Sequence, residues 1–146
     1  MSKYNSKKTV IDGIVFDSKN ESLYYEFLKK EKKNKVIKDF KLQPVFILEK
    51  GKKIQGKTLK DITYIADFLV IKNDGSEYVV DVKGMATEVA NIKRKLFMLR
   101  YPETPLYWVV RNLKYSKDYG YDGQWVDYDV LKKVKSAEKR KMKKAI

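Results

Sequence analysis

Apolar and polar positions change their spacing several times along the chain, and each change predicts a different element. Within residues 17–33, Leu23 and Phe27 have the spacing of one helical face. Ser18 is a good residue to begin this helix, and Glu21 three residues later completes a capping box. The segment therefore predicts an amphipathic first helix. The capping box by itself would explain Glu21 without any functional role.

Three strand-like segments follow the first helix. Residues 35–50 alternate and then become apolar, which predicts a strand with an irregularity, or a position at the sheet edge, at Pro44. Residues 62–71 and 76–83 are also strand candidates, and the Asn-Asp-Gly sequence between them is a hairpin signal. The middle of the chain therefore predicts strands that pair locally.

A second helix is predicted over residues 86–100, where one apolar stripe has helical spacing: Val89, Ile92, Leu96 and Leu99. Residues 105–111 form another apolar strand candidate. The resulting order predicts an α/β domain, residues 1–131, with a sheet flanked by helices on both faces. Residues 132–146 are predicted to form a basic C-terminal helical tail.

Charge and two missing residue types narrow the chemistry. The 146 residues carry a formal net charge of +14, which favours a polyanion such as nucleic acid over a merely basic surface. The sequence has no Cys and no His, which excludes disulfides, zinc fingers and His-based catalytic triads. Chemistry would therefore depend on carboxylates, Lys, Tyr or Ser, and a metal would be a hard cation held by oxygen.

The charge is concentrated at the C-terminus, where residues 132–146 hold eight Lys or Arg against Glu138 alone. This tail is expected to add phosphate affinity that does not depend on base sequence.

No apolar run approaches the length of a membrane span, and the basic N-terminal residues are not followed by the apolar stretch of a signal peptide. We therefore expect no membrane partner and a cytoplasmic location.

The most unusual charges lie in the second strand of the predicted hairpin. Side chains alternate along a strand, so Asp81 and Lys83 share one face. With a three-residue loop, Lys72 pairs with Ser76 and Asp67 lies opposite Asp81, whereas a two-residue turn sends Asp67 to the other face. The sequence leaves both registers open.

Two carboxylates that face each other need a cation. Lys83 supplies one positive charge beside Asp67 and Asp81, and a divalent ion such as Mg²⁺ would supply the rest. The alternative is a purely structural ion pair of Lys83 with one of the two Asp residues. Taken alone, these residues favour the structural ion pair, because such pairs arise readily in folded proteins.

Five segments together resemble the PD-(D/E)XK nuclease superfamily, which includes restriction enzymes and several Holliday-junction resolvases. They read FDSKNESLYYEFL, KDFKLQP, YIADFLV, YVVDVKG and IKRKLFML, within roughly residues 4–110. More narrowly, the sequence looks like small phage and prophage proteins of that superfamily. The resemblance implies a restriction-endonuclease-like fold with a mixed, mostly antiparallel sheet. An Asp precedes x-Lys where many relatives have Glu, and Ala66 replaces the usual Pro.

The resemblance also implies roles for individual residues. Asp67 and Asp81 would be ligands of Mg²⁺ or Mn²⁺, together with the main-chain carbonyl of Val82, and Glu21 would reach the same ions from the first helix. Lys83 would position the attacking water and neutralise charge at the scissile phosphate. The implied catalytic residues are therefore Glu21, Asp67, Asp81 and Lys83.

Other residues receive weaker assignments. Gln43 would support the site from outside or bend its strand. The basic residues Lys93, Arg94 and Lys95 would contact nucleic acid, or would only form a solvated helix face. Four aromatic residues would stack on unpaired bases or, as we prefer, pack the edge of the sheet: Tyr115, Tyr119, Tyr121 and Trp125.

The resemblance thus implies a Mg²⁺-dependent DNA endonuclease that acts in phage DNA metabolism, on branched or recombination intermediates, in the cytoplasm of a bacterial host. By the same resemblance it would act as a homodimer. One alternative is a nucleic-acid-binding protein that keeps the fold without the chemistry. A second is a basic structural protein in which the charged residues form ion pairs.

Overall fold

The structure is a computed structural model that describes residues 7–145. Residues 1–6 and 146, which the predicted domain and tail include, lie outside the described part. The helices are α1 (Lys19–Lys33), α2 (Glu88–Arg100), α3 (Ser116–Tyr119) and α4 (Tyr128–Ala145). The strands are β1 (Thr9–Ile11), β2 (Ile14–Phe16), β3 (Asp39–Leu42), β4 (Val45–Glu49), β5 (Lys53–Ile54), β6 (Lys57–Thr58), β7 (Ile62–Ile65), β8 (Phe68–Ile71), β9 (Glu77–Val82), β10 (Leu106–Arg111) and β11 (Trp125–Asp127).

The central sheet has five strands in the order β11-β10-β9-β8-β3. The pair β9 and β10 is parallel, with α2 as its crossover, and the other pairs are antiparallel. Such a crossover needs a long connection, which the helix provides. The prediction of a mixed α/β fold with a mostly antiparallel sheet is confirmed.

Helices cover both faces of this sheet. Val80 packs in a cluster with Tyr24 and Leu28 of α1, whereas its neighbour Val79 packs in a cluster with Phe97 of α2. Consecutive residues of a strand point to opposite faces, so α1 and α2 lie on opposite sides. α1 begins where the capping box predicts, because the Ser18 hydroxyl accepts a hydrogen bond of 3.2 Å from the Glu21 amide.

Two of the predicted strands are each broken into two shorter strands, and the two breaks lie side by side. Segment 35–50 divides into β3 and β4 at Gln43 and Pro44, so the predicted irregularity is confirmed. Segment 62–71, predicted as one strand, divides into β7 and β8 at Ala66 and Asp67. The β4–β7 ladder leaves the central sheet here and packs its Phe46 against α2. The break therefore places Asp67 at a bend.

The predicted apolar stripe of α2 is not its buried face. Val89, Ile92 and Leu99 are 62%, 58% and 73% exposed, whereas Phe97 is fully buried. The reason is the position of the β4–β7 ladder, because the rings of Phe46 and Tyr64 lie 4.9 and 5.6 Å from that of Phe97. The helix is therefore anchored mainly by Phe97, and Leu96 is the stripe residue that packs in the same cluster.

The chain ends in α4, which begins at Tyr128 and packs on β10 and β11. Leu131 is its buried residue, and the Tyr128 ring lies 5.4 Å from the ring of Trp108. Within residues 7–145, no helix combines the length and apolar character that crossing a membrane requires.

Candidate active site

The β8–β9 hairpin settles the register that the sequence left open. Phe68 pairs with Val80, and the Lys72 amide donates a hydrogen bond of 2.8 Å to the Ser76 carbonyl. Gly75 has a φ of +88°, the left-handed conformation that a three-residue loop requires. One step beyond the last ladder pair, Asp67 therefore lies opposite Asp81.

Backbone groups from two strands hold Asp67 at its bend. The amide of Gln43 donates to the main-chain carbonyl of Asp67 at 2.9 Å, and the amide of Ala66 donates to the carbonyl of Pro44 at 3.1 Å. On the other side, the Val82 amide donates to Oδ2 of Asp67 at 2.7 Å. The carboxylate is thereby fixed against the end of β9.

Asp81 is a buried carboxylate, 6% exposed, with two partners on one oxygen. The Tyr64 hydroxyl donates to its Oδ2 at 2.6 Å, and Lys83 Nζ lies 2.9 Å from the same atom. The indole Nε1 of Trp108 donates in turn to the Tyr64 hydroxyl at 3.0 Å. This chain of bonds satisfies buried polar groups and fixes the orientation of the carboxylate.

Trp108 also contacts two cations. Lys83 Nζ lies 4.8 Å from the centre of its ring, and the Arg94 guanidinium carbon lies 4.4 Å from it. Both are cation–π distances. Arg94 also pairs with Asp129 at the start of α4, so its guanidinium is already engaged.

The carboxylates repel one another. Burial raises the pKa of Asp67 well above its ordinary value, and the charges of Asp81 and Glu21 raise it further, against a lowering by the Val82 amide. Burial also raises the pKa of Glu21, with the Asp17 charge next, while Lys83 lowers it. The site therefore holds more negative charge than Lys83 alone neutralises.

Glu21 lies between two small cavities at the start of α1. One, of about 450 Å³, is also lined by Val82 and Lys83, and the other, of about 140 Å³, by Gln43 and Asp67. Glu21 is half-buried and follows its helix cap. All residues of the predicted catalytic set, and Gln43, therefore line or adjoin this one region.

A metal would find a suitable donor set here, in a pair of carboxylates rather than in a cluster of three. In residues 7–145, no three Asp or Glu side chains form a group close enough to hold an ion together. What the fold does bring together is Asp67 and Asp81, two carboxylates of which the second is paired with Lys83. Hard cations such as Mg²⁺ are bound by one or two carboxylates with water, and that chemistry fits this pair.

The predicted nucleic-acid-binding residues of α2 have three different environments. Lys95 is exposed, Lys93 is half-buried, and Arg94 is held between Trp108 and Asp129. Among the aromatic residues, Trp125 is fully buried and the Tyr121 hydroxyl lies 2.9 Å from that of Tyr24. Packing, the interpretation preferred from the sequence, is confirmed for these two.

Tyr64 and Trp108 are the site residues that sequence reasoning missed. Trp108 pairs with Asp81 across the parallel β9–β10 ladder. The sequence pattern of a strand does not predict its register against a strand to which it is connected through a helix. The only signal for Tyr64 is its position three residues before Asp67 in an apolar segment.

The comparisons with known proteins leave the activity open. No curated protein matches the sequence. A family described as a protein of unknown function, DUF1064, matches residues 1–117. The matched part contains Glu21, Asp67, Asp81, Lys83 and the β10 strand, whereas α4 lies beyond it. The chain therefore belongs to the DUF1064 family.

Proposed function

We propose that this protein is a metal-dependent DNA endonuclease with a restriction-endonuclease-like fold of the PD-(D/E)XK type. The observation that carries the proposal is the position of Asp67 opposite Asp81, one step beyond the last pair of the β8–β9 ladder, with Lys83 at 2.9 Å from the Asp81 carboxylate. A buried Asp81, a half-buried Asp67 and a Lys on adjoining strand ends are costly for folding alone. Hydrolysis of a phosphodiester with a bound metal ion would require such a set of charged groups.

Mg²⁺ or Mn²⁺ would be held by Asp67, Asp81 and the Val82 carbonyl, with Glu21 approaching from α1. Such an ion supplies an activated water and relief of charge on the phosphoryl oxygens. It also needs no His, which this chain lacks.

The protein's own groups hold the remaining parts in place. Lys83 is fixed between the Asp81 carboxylate and the Trp108 ring, so its ammonium presents a positive charge at the edge of the cavity that Glu21 and Val82 line. A fixed cation beside a phosphate stabilises the charge that develops during hydrolysis. Tyr64 holds the Asp81 carboxylate in one orientation through its hydrogen bond.

A second candidate function is a nucleic-acid-binding protein without catalysis. The Lys83–Asp81 ion pair favours it, because Lys83 already neutralises one of the two acids. Under this alternative, substitution of Asp81 would change stability and leave DNA binding as it was. The net charge of +14 serves both functions equally and does not separate them.

The substrate is proposed to be DNA, with branched or recombination intermediates of phage DNA as the preferred form. The test is a panel of linear duplex, single-stranded, flap and four-way-junction DNA, with RNA of the same sequences, in Mg²⁺, Mn²⁺ or EDTA. Metal-dependent cutting of junctions above linear duplex supports the proposal. Intact nucleic acid in every lane favours the binding protein.

The proposed enzyme would act as a homodimer. The exposed apolar residues of α2, namely Val89, Ile92 and Leu99, offer apolar surface for such contact. Light scattering across a concentration series would give the mass in solution. A monomer at assay concentration would remove the dimer from the proposal and leave the chemistry untouched.

A further inference from the structure

One face of α4 carries a regular row of lysines. The row lies at positions i, i+3, i+7 and i+11, which share one side of a helix, and all its members are exposed: Lys132, Lys135, Lys139 and Lys143. At a rise of about 1.5 Å per residue, the row spans roughly 16 Å. We call these four residues the α4 lysine row.

Beyond Asp129, three residues before Lys132, the lysine row has little compensating charge. Among the described residues, none of the salt bridges involves a Lys or Arg of α4. The Glu138 carboxylate accepts a hydrogen bond from the Tyr115 hydroxyl, and Lys135 lies 6.0 Å from that ring. Lys139 has a like charge four residues away on each side, a spacing at which equal charges destabilise a helix. A bound polyanion would remove this repulsion.

The first turn of α4 is anchored next to the candidate active site. Leu131 is buried, Asp129 pairs with Arg94, and the Tyr128 ring lies 5.4 Å from Trp108. Trp108 is the residue whose ring lies 4.8 Å from Lys83 Nζ. The lysine row therefore extends from a fixed base beside Lys83, and its direction relative to the site is set by packing.

We propose that the α4 lysine row binds the phosphate backbone of duplex DNA alongside the candidate active site, independently of base sequence. Lysines act on phosphates as point charges, and the row contains no amide or guanidinium group that would read a base edge. The proposal rests on the proposed function in taking DNA as the polyanion. It adds a substrate-binding surface in a part of the chain that lies outside the family match.

The test compares two variants with equal charge. One replaces the row by Gln, which keeps helix propensity: Lys132→Gln, Lys135→Gln, Lys139→Gln and Lys143→Gln. The control replaces four exposed lysines around the β5–β6 hairpin: Lys50→Gln, Lys52→Gln, Lys53→Gln and Lys57→Gln. Binding of a fluorescent 20-base-pair duplex is measured in EDTA over a range of salt concentrations, and circular dichroism checks that each variant is folded.

For the row variant, we expect the slope of log affinity against log salt to fall by about three to four units, since each phosphate contact contributes about 0.9. Affinity at moderate salt should fall more than tenfold. The control should change the slope by less than one unit. Equal losses in both variants would overturn the proposal, because net charge alone would then explain them.

Two further outcomes would also overturn it. One is an unchanged slope in the row variant. The other is row-dependent binding to phosphatidylserine vesicles while DNA binding stays unchanged, which would assign the row to a membrane surface. Because EDTA prevents metal-dependent cleavage, the result does not depend on catalysis. A failure of the lysine row to bind DNA can therefore be distinguished from a failure of the protein to cleave DNA.

Discussion

The hydroxyl of Tyr64 lies 2.6 Å from Oδ2 of Asp81, in a part of the domain where both residues are almost fully buried. The same hydroxyl accepts a hydrogen bond from Trp108. Tyr64 thus links a core indole to the carboxylate that we propose as a metal ligand. It therefore makes the orientation of Asp81 depend on the packing of the core.

Removing this hydroxyl should impair the site more than it impairs the fold. In Tyr64→Phe, Asp81 loses a donor and Trp108 loses its acceptor, so we expect a loss of about 1–3 kcal/mol in the free energy of unfolding. Cleavage should fall roughly 10–100-fold, the usual cost of losing a residue that orients a metal ligand. Urea denaturation and initial cleavage rates measure the two effects.

The matched control is Tyr101→Phe, which removes a hydrogen bond to the Ile47 carbonyl away from the site. It should lower stability and leave the cleavage rate per folded molecule unchanged. An equal loss of activity in both variants would show that Tyr64 acts only through stability.

Asp67 should make the metal-free protein less stable as the pH rises. Its pKa is raised in the folded state, so its stabilising contribution is fully present below the unfolded value, near 3.9, and is lost as the pH rises through the folded value. In Asp67→Asn, the amide oxygen can still accept from Val82 but carries no charge. We expect this variant to be more stable than wild type at pH 8 in EDTA, with a flatter pH profile from 4 to 8.

Asp129 provides a contrast of opposite sign. Arg94 lowers its pKa, so its contribution is present above the unfolded value and is lost as the pH falls. Asp129→Asn should therefore lower stability at pH 8. If Asp67→Asn behaved in the same way, the two acids at the hairpin would not repel each other as described.

Metal should stabilise the protein through the paired acids. At a Mg²⁺ or Mn²⁺ concentration of 100 times the dissociation constant, linkage gives about 2.7 kcal/mol, or a rise in Tm of roughly 5–10 °C. Asp81→Asn should abolish this rise, and Asp118→Asn, an exposed acid with the same charge change, should keep it. A rise that survives Asp81→Asn would place the metal elsewhere.

Glu21 has two separable roles at the start of α1. Glu21→Gln preserves the amide that Ser18 caps and removes a charge that burial disfavours, so stability at neutral pH should not fall, while cleavage falls about 10²-fold. Ser18→Ala removes the cap and should cost about 1 kcal/mol with cleavage retained. Full activity in Glu21→Gln would leave the residue with a structural role only.

Turn residues and strand alternation predicted much of the β8–β9 hairpin, but they predicted little of the elements that pack around it. The Asn-Asp-Gly loop limited the register to two options, because Gly75 tolerates the left-handed conformation. The bend at Asp67 was not predicted, since it arises when β4 and β7 leave the sheet together. Three of the four predicted stripe residues of α2 are exposed for the same reason, because the β4–β7 ladder covers Phe97, and only Leu96 of the stripe packs beside it.

Contacts between distant segments were the least predictable part of the site. Tyr64 reaches Trp108 across 44 residues, through a parallel pair whose register depends on the packing of α2. Acids and a Lys on a hairpin can be recognised in the sequence, because strand alternation fixes their faces. The aromatic residues that hold these acids cannot be recognised in the same way. An aromatic residue that contacts the site has the same apolar spacing in the sequence as one that only fills the core.

The most direct test of the central claim is cleavage of four-way-junction DNA in Mg²⁺ by wild type, Asp81→Ala, Lys83→Ala and the exposed control Lys95→Ala. The account predicts metal-dependent cutting by wild type and Lys95→Ala. It also predicts a loss of about 10²-fold or more in both Asp81→Ala and Lys83→Ala, with DNA binding retained. Cutting that survives both site substitutions, or no cutting by folded wild type on any nucleic acid with either metal, would contradict it.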